Sequence, residues 1–451
     1  MTRLLIESCD MVVTVGDAGT ELAGGSVLVE DGVIAWVGGG TPPAEPDERL
    51  DGRGTIALPG LVNTHHHLFQ TLTRAWSRDV GLFAWLTEMY PVWVGVDEAW
   101  QHAASRVGLA QLALSGCSMT TDHHYLHPRG GVDLLEVEIA SARELGLRFH
   151  PCRGSMDLGE RDGGLPPDAA VEDTDDVLQR SRDAVERFHD PLPGSMLQVA
   201  IAPCSPFSVT ERLMRESAAL ARSLGVRLHT HLAETLDEER FCVERFAMRP
   251  LELMEEWGWV GEDVWFAHAV HLDEKDARRL GETGSGVATC PSSNLRLGAG
   301  IAPVRAYLDE RVKVGLGVDG PASNEAAGLF GEIRQTMLAS RASGPERGLS
   351  AREALRLATR GGADILGRDD VGSIEVGKRA DVALFGVDGL AQAGAAADPV
   401  AGLLMGEAQR VRHLLVEGRP IVRDGRLVTA DEDEIAREGH RMGRAIAEAA
   451  R

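Results

Sequence analysis

The chain has 451 residues, of which 46 are basic and 69 acidic, giving a formal net charge of −23 at pH 7. This charge disfavours nucleic acid and anionic membranes as partners, and the hydrophobic fraction of 43% is typical of a globular protein with a sizeable core. We find no signal-peptide pattern, no apolar run near the ~20 residues of a membrane span, and six scattered cysteines without CxxC pairs. We therefore expect a cytoplasmic protein with reduced thiols.

Short β-type runs occupy both ends of the chain. Residues 1–57 hold LLIESCDMVVTV and SVLVEDGVIAWVG, and residues 371–430 hold VGSIEVGKRADVALFGVD and VRHLLVEGRPIVRDGRLV, with DG and EG turn signals between them. We predict that the two segments together form one small β-sandwich domain. Residues 431–451 are predicted to form an amphipathic C-terminal helix.

A run of strand–helix units fills residues 58–370. The eight strand candidates are, in order, IALPGLVNTH, GCSMTTDHH, LRFHPCRG, LQVAIAPC, VRLHTHLAE, VWFAHAVH, GVATCPSS and VKVGLGVDG. Eight β/α units predict a (β/α)8 TIM-type barrel, whose active site lies where the strands end. A different α/β sheet is the alternative.

Polar residues collect at the ends of four of these strands. The first ends in a His-x-His pair, His65 and His67, whose side chains share one face because residues i and i+2 of a strand do so. Two imidazoles on one face can bind one metal ion. The fifth, sixth and eighth strands end in LHTHLAET, FAHAVHL and GLGVDGPAS. Since unpaired polar groups are costly to bury, this repetition indicates a functional site.

The motifs PGLVNTHHH, HLAE, HAVHL and GVDG, in this order, resemble those of the amidohydrolase superfamily, in its cytosine/guanine deaminase-like branch. The resemblance spans essentially the whole chain and implies a hydrolase that forms homo-oligomers. The metal ligands that it implies are His65, His67, His231 and Asp319, and the catalytic residues are Glu234, His268 and Asp319.

The end of the fourth strand favours a single metal ion. Binuclear relatives bridge two ions there with a carboxylated lysine or a carboxylate, whereas this strand ends in IAPCSPFS. The chain has only three lysines: Lys275, Lys313 and Lys378. Histidine and carboxylate ligands suit Zn²⁺ or Fe²⁺, and the sequence leaves both open.

The implied residues suggest a hydrolytic deamination. A divalent metal lowers the pKa of its bound water towards ~7. Asp319 would then accept the proton of the water, and His268 would orient it. Glu234, three residues after a ligand histidine, would deliver a proton to a ring nitrogen of the substrate.

Within the branch, the segments NTHHHLFQTLTRA, TTDHHYLHP, PCRGSMDLGERDGGLPPD and APCSPFSVT look most like those of 8-oxoguanine deaminases. The expected reaction is therefore the conversion of 8-oxoguanine, a free purine-type base, to urate and ammonia. Gln70 would read the purine edge. Trp93 would replace a ribose-binding glutamate, and Cys204 a larger basic residue near the five-membered ring. Gln70 as a polar helix start and Cys204 as strand-end packing are the alternatives.

Other functions and other residues also remain open. An s-triazine or pterin aminohydrolase would keep the same fold and metal, and a catalytically inactive barrel scaffold is a more distant alternative. Adjacent residues of a strand face opposite sides, so only some of His66, His123, His124 and Tyr125 can line a pocket. The long run GSMDLGERDGGLPPD predicts a lid loop.

Overall fold

The computed structural model describes residues 2–127 and 133–450. Its strands are β1 (Arg3–Glu7), β2 (Met11–Val13), β3 (Glu21–Ala23), β4 (Ser26–Glu30), β5 (Val33–Gly38), β6 (Glu48–Asp51), β7 (Thr55–Pro59), β8 (Leu61–Asn63), β9 (Cys117–His124), β10 (Arg148–Ser155), β11 (Ala200–Pro203), β12 (Leu228–Leu232), β13 (Val264–His268), β14 (Gly286–Thr289), β15 (Lys313–Leu316), β16 (Val382–Gly386), β17 (His413–Val416), β18 (Arg419–Arg423) and β19 (Arg426–Leu427).

The α-helices are α1 (Leu82–Trp93), α2 (Glu98–Leu114), α3 (Leu134–Leu145), α4 (Thr174–Phe188), α5 (Glu211–Leu224), α6 (Leu236–Phe246), α7 (Pro250–Glu256), α8 (Glu274–Thr283), α9 (Pro291–Arg296), α10 (Val304–Asp309), α11 (Leu329–Ala342), α12 (Ala351–Arg356), α13 (Gly362–Ile365), α14 (Pro399–Met405) and α15 (Glu432–Ala449). Short 3₁₀ turns lie at Leu68–Thr73, Glu160–Asp162, Asp168–Ala170, Pro345–Arg347 and Leu390–Gln392, and a π turn at Leu357–Gly361.

Strands β8 to β15 close into a parallel barrel in chain order, with β15 pairing back to β8. Each of the eight predicted strands contributes to it, so the (β/α)8 architecture is confirmed. The strands are buried along almost their whole length, as expected of a parallel sheet covered by helices on its outer face. Because the strands are parallel, all of their carboxyl ends meet at one face of the barrel.

The two termini build a small β domain, as predicted. A four-stranded sheet in the order β5-β4-β1-β6 faces a seven-stranded sheet in the order β19-β18-β17-β16-β7-β2-β3. Side chains of both sheets share one buried cluster, with Ile6 and Val27 from the first sheet and Val382 and Leu384 from the second. Neither sheet could bury its apolar face without the other, so the domain requires both ends of the chain.

The run predicted as the first barrel strand contains two strands. β7 pairs with β16 of the β domain as far as Pro59, and only Leu61–Asn63 joins the barrel. The chain passes between the two sheets at Gly60, where a Cβ atom would lie 2.3 Å from the Ser118 hydroxyl oxygen. The apolar run continues through this junction because both strands are buried, so the sequence pattern does not reveal the break.

A buried ion-pair network joins the barrel to the β domain. The Arg148 guanidinium on β10 is fully buried and donates to Asp381 at 2.7 Å, and it also contacts Glu417. Removing one partner of such a network leaves a buried charge unpaired, which typically costs several kcal/mol. The network therefore fixes the two domains relative to each other.

The C-terminal helix α15 packs on α2, where Arg106 donates to Glu438 at 2.8 Å. No helix in the described part of the chain combines the length and the apolar character needed to cross a bilayer.

Candidate active site

Four of the predicted residues converge at the carboxyl face of the barrel. His65 and His67 follow β8, His231 lies in β12, and Asp319 follows β15. The Nε2 atoms of His67 and His231 are 3.1 Å apart. The Asp319 Oδ1 atom lies 3.5 Å from His65 Nε2 and 3.4 Å from His67 Nε2. The structure thus brings together the three imidazoles and the carboxylate that the resemblance implied.

Backbone carbonyls fix the tautomers of two of these rings. His67 Nδ1 donates to the His123 carbonyl at 2.7 Å, and His231 Nδ1 donates to the Cys204 carbonyl at 2.6 Å. Each Nε2 atom therefore carries a lone pair, and the two lone pairs face each other. Such an arrangement is repulsive unless a cation lies between the nitrogens, since burial holds the pKa of both histidines below its ordinary value.

His65 also has its proton on Nδ1 and a lone pair on Nε2, because a chain of two hydrogen bonds fixes its tautomer. His229 Nδ1 lies 2.9 Å from the Trp265 carbonyl, so it donates and leaves His229 Nε2 as an acceptor. His65 Nδ1 lies 2.8 Å from that acceptor and donates to it. His65 Nε2 is buried without a hydrogen-bond partner among the described residues. Three bare imidazole nitrogens beside a carboxylate form a donor set that fits a divalent metal ion.

Asp319 is held as a carboxylate. Burial would raise its pKa, but the adjacent His65 ring and the proximity of His268 keep that pKa well below the ordinary value. Its Oδ1 atom accepts from the Gly320 amide at 2.7 Å, and its Oδ2 atom accepts from the Ser293 hydroxyl at 2.6 Å. The ionised form can both bind a cation and accept a proton.

Glu234 and His268 form an acid–base pair beside this cluster. His268 Nε2 lies 3.6 Å from Glu234 Oε2 and 4.0 Å from Asp319 Oδ2. Burial raises the pKa of Glu234 to about 7, although the nearby His268 opposes the shift. Burial also disfavours the charged form of His268, but Glu234 and Asp319 outweigh it and raise the pKa of that imidazole. The pair can therefore exchange a proton near neutral pH.

The backbone is strained where these side chains are attached. His268 has a φ of +69° and Asp319 a φ of +64°, and neighbouring Ala233 and Ala269 are also left-handed. Non-glycine residues adopt this conformation at a cost and do so most often at functional sites.

A partly open cavity lies beside the acid–base pair. Its lining residues are His67, Gln70, Leu82, Trp85, Leu86, Tyr90, Tyr125, Cys204, Ser205, Phe207, His231, Glu234, His268, Leu297 and Asp319. Within the described ranges, no arginine or lysine lines this cavity. Its apolar wall with a few polar groups is typical of ligand sites.

The three predicted substrate-binding residues have different positions. Gln70 and Cys204 line the cavity. Burial raises the pKa of the Cys204 thiol to about 12, so this residue stays a neutral thiol. Trp93 does not line the cavity: it is fully buried behind the lining, where its indole N–H donates to Thr73 at 3.0 Å. The role of Trp93 in substrate binding stays a prediction, and other residues of α1 form the cavity wall.

The α1 residues that line the cavity are Leu82, Trp85, Leu86 and Tyr90, which the sequence analysis did not single out. The buried α1 residues recur at helical spacing, with Leu82, Trp85, Leu86, Met89 and Tyr90 on one face. This pattern predicts a buried helix face, but not that the face lies over the active site. The Trp85 indole N–H and the Gln70 Oε1 atom, which belong to two residues of the cavity wall, are buried without partners within the described structure.

The four ambiguous residues at the ends of β8 and β9 point to opposite sides of the strands. Tyr125 lines the cavity, and the His123 ring stacks on His231 with 4.7 Å between centroids. His124 faces away, with its Nδ1 atom 2.9 Å from Glu138 on α3. His66 also faces away, towards Asp122 at 3.6 Å.

Comparisons with known proteins place the chain in a family. The model of the amidohydrolase family matches residues 56–419, and the chain belongs to that family. It is 46% identical over 408 residues to 8-oxoguanine deaminase of Pseudomonas aeruginosa, covering 89% of this chain and 90% of that protein. It is 38% identical to hydroxydechloroatrazine ethylaminohydrolase of Pseudomonas sp. strain ADP, covering 97% and 94%.

A solved structure gives the same assignment. Atrazine chlorohydrolase from Arthrobacter aurescens TC1, complexed with zinc, matches with a TM-score of 0.93 and 34% identity over 98% of this chain and 100% of that chain. The chain is thus a hydrolase that acts on C–N bonds, with deaminases and aminohydrolases among its relatives. The predicted superfamily and enzyme class are confirmed.

Proposed function

We propose that the protein is a metal-dependent deaminase of a free purine-type base, and that it converts 8-oxoguanine and water to urate and ammonia. The main support is the cavity itself, which Gln70 and Trp85 line together with Glu234 and His268, and in which the Trp85 N–H and the Gln70 Oε1 atom have no partner within the described structure. A planar base that carries both N–H and C=O groups satisfies both. The similarity to the 8-oxoguanine deaminase of Pseudomonas aeruginosa supports the same substrate.

The cavity also argues against larger or charged substrates. With no cationic side chain among the described lining residues, it has nothing to neutralise a phosphate or carboxylate. The apolar wall formed by Leu82, Trp85 and Leu86 encloses it on the side of α1. A free base is therefore favoured over a nucleotide or nucleoside.

The metal site would hold one divalent ion, Zn²⁺ or Fe²⁺, through His65, His67, His231 and Asp319. Such an ion supplies a water of lowered pKa when bound. The bridging carboxylate or lysine of binuclear relatives has no counterpart at the end of β11, which continues into Cys204 and Ser205. One ion per chain is therefore the stoichiometry that we propose.

The side chains of the protein handle the protons. Asp319 accepts a proton from the attacking water, and His268 Nε2 accepts a hydrogen bond that orients the same water. Glu234, with its pKa raised to about 7 by burial, donates a proton to a ring nitrogen and so makes the adjacent C–NH₂ carbon electrophilic. A C–O bond forms, the proton held by Asp319 passes to the amino group, and the C–N bond breaks so that ammonia leaves. The remaining hydroxyl proton returns to Glu234, which restores its protonated form and leaves a C=O group on the product.

A substrate panel tests the proposal. Purified enzyme is assayed for ammonia release and ultraviolet change with 8-oxoguanine, guanine, isoxanthopterin, cytosine and a hydroxy-s-triazine. We expect 8-oxoguanine to have the highest kcat/KM. The similarity to the Pseudomonas sp. ethylaminohydrolase makes the triazine the main competitor. A triazine or guanine kcat/KM about tenfold above that of 8-oxoguanine would overturn the substrate and leave the deaminase class intact.

Two variants of Gln70 link the substrate to the cavity. Gln70→Ala leaves a hole at the purine edge and should lower kcat/KM strongly without loss of metal, because a polar site rejects ligands that leave its groups unpaired. Gln70→Glu keeps the size of the side chain and should leave the metal content unchanged.

We also predict a homo-oligomer, which light scattering after size-exclusion chromatography would reveal.

A further inference from the structure

We propose that helix α9 is a positioning element of the active site, in which Ser293 fixes the carboxylate of Asp319 and Asn294 fixes the ring of His268. The inference rests on the proposed function, since it assigns a supporting role to residues behind the groups that handle protons. Neither Ser293 nor Asn294 lines the cavity, so both act through other residues.

The Ser293 hydroxyl sets the orientation of Asp319. Its Oγ atom lies 2.6 Å from Asp319 Oδ2 and 2.8 Å from the Ser323 hydroxyl oxygen. A carboxylate oxygen can only accept, so Ser293 donates its single proton to Asp319. Asp319 Oδ1 is thereby left facing His65 and His67. Ser293 is the nearest donor to Oδ2, with the Ser323 hydroxyl at 3.3 Å and the Gly320 amide on Oδ1 at 2.7 Å, so its loss should loosen the carboxylate from the position in which it both binds a cation and accepts a proton.

The Asn294 side chain sets the tautomer of His268. Asn294 Oδ1 lies 2.9 Å from His268 Nδ1 and accepts its proton. The His268 Nε2 atom then faces Glu234 and Asp319 with a lone pair, which is the form that can accept a hydrogen bond from water. The Asn294 amide nitrogen has no partner in the described structure. The Asn294 side chain therefore positions the His268 ring through its oxygen atom.

One buried carboxylate anchors α9 to the turn that carries Asp319. Glu332 on α11 accepts from the Ser292 amide at 3.1 Å and from Asn324 Nδ2 at 2.9 Å. The same Asn324 nitrogen donates to the Val318 carbonyl at 2.8 Å, next to Asp319 in the chain. The α9 helix and the turn after β15 thus form one rigid unit, which fixes the separation of His268 and Asp319.

Matched variants of Asn294 test whether this residue fixes the ring of His268. Asn294→Leu removes the acceptor at similar size, and Asn294→Asp keeps an acceptor oxygen but replaces the unused amino group with a second oxygen and adds a negative charge beside His268. We expect Asn294→Leu to lower kcat about 10- to 100-fold, the range found for residues that orient reactive groups, with KM and metal content little changed. Asn294→Asp should recover most of this loss.

A spectroscopic measurement reads the tautomer directly. The ¹⁵N shifts of the His268 ring, assigned by comparison with His268→Gln, should show the proton on Nδ1 in the wild type and a mixture of tautomers in Asn294→Leu. This readout needs no substrate, so it remains valid even where every base in the panel is inert. A wild-type ring protonated only on Nε2, or identical ring shifts in Asn294→Leu, would overturn the role of Asn294.

Variants of Ser293 test whether this residue fixes the carboxylate of Asp319. Ser293→Ala should lower kcat and weaken metal retention against a chelator, and Ser293→Thr, which keeps the hydroxyl, should restore both in part. Ser217→Ala is the control, because Ser217 is equally buried and its hydroxyl lies unpaired within the described structure, on α5. Equal kcat and metal retention in Ser293→Ala and Ser217→Ala would contradict the positioning role. An inactive wild type would instead contradict the proposed function.

Discussion

His65 and His229 are joined by a hydrogen bond of 2.8 Å between Nδ1 of the first ring and Nε2 of the second. The His229 ring in turn donates to the Trp265 carbonyl and stacks on the Trp265 indole, with 4.3 Å between ring centroids. His229 thus determines which nitrogen of His65 remains available for a metal ion, although it contributes no ligand atom to the set that we propose.

The first prediction follows from that pair. His229→Leu removes the acceptor, so the His65 ring loses its fixed tautomer and metal affinity should fall about 10- to 100-fold. Competition with a chromogenic chelator measures the affinity. His150→Leu is the control, since His150 is also a buried barrel histidine, and its ring nitrogens have no partners among the described residues. Equal metal affinity in the two variants would contradict the role of His229.

The second prediction concerns the number of metal ions. Elemental analysis after growth with supplemented zinc or iron should give a stoichiometry near one per chain, and removal of the ion with a chelator should abolish activity. Asp319→Ala should lose both turnover and metal, because this carboxylate has both roles. A reproducible content of two ions, both required for activity, would show that the site is binuclear.

The third prediction is a pH dependence. Burial raises the pKa of Glu234 to about 7, so the carboxyl is protonated below that pH and loses its proton above it. If Glu234 is the proton donor, kcat/KM should decline as the pH rises through this value. Glu234→Gln should lose about 10²–10⁴-fold in turnover, and this alkaline decline should disappear from its residual activity.

The control for this experiment is Glu138→Gln. Glu138 is also fully buried, and burial raises the pKa of its carboxyl, but the residue lies outside the cavity lining. The Glu138 variant should keep the alkaline decline. A Glu234→Gln enzyme with nearly wild-type turnover would show that another group delivers the proton.

The fourth prediction separates two tryptophans of α1. Trp85→Phe keeps an aromatic side chain in the cavity wall but removes the unpaired N–H, so kcat/KM for the preferred base should fall about tenfold. Trp93→Phe removes an N–H that donates to Thr73, and the effect on kcat/KM should be small. A larger effect at Trp93 than at Trp85 would mean that the substrate reaches the deeper residue.

Much of the site could be predicted because barrel topology converts strand order into proximity. His65, His231 and Asp319 are far apart in the chain, but each follows or ends a parallel strand, and those ends meet at one face. Recognising the strands was therefore enough to bring the ligands together. The β domain could be predicted for a similar reason, since alternating strands with turn signals appear at both termini.

The sequence did not reveal those residues whose role depends on the direction in which their side chains point. Helical spacing shows that α1 has a buried face, but only the packing of that helix shows that Trp85 lines the cavity and Trp93 does not. In the same way, the residues that support the ligands form hydrogen bonds to partners distant in sequence. His229 lies 164 positions from His65, and Asn294 lies 26 positions from His268.

The sequence by itself determined the class of fold and the polar residues available at the strand ends, and its family resemblance named the expected metal ligands. Strand order and strand-end residues depend on residue type and on periodicity, which are local properties of the chain. The tertiary structure alone decided the break at Gly60, the direction in which His66 and His124 point, and the support that α9 gives to Asp319 and His268. Strand alternation defines only relative faces, and a side-chain hydrogen bond requires two groups to approach within about 3 Å. Both are settled only when the elements pack together.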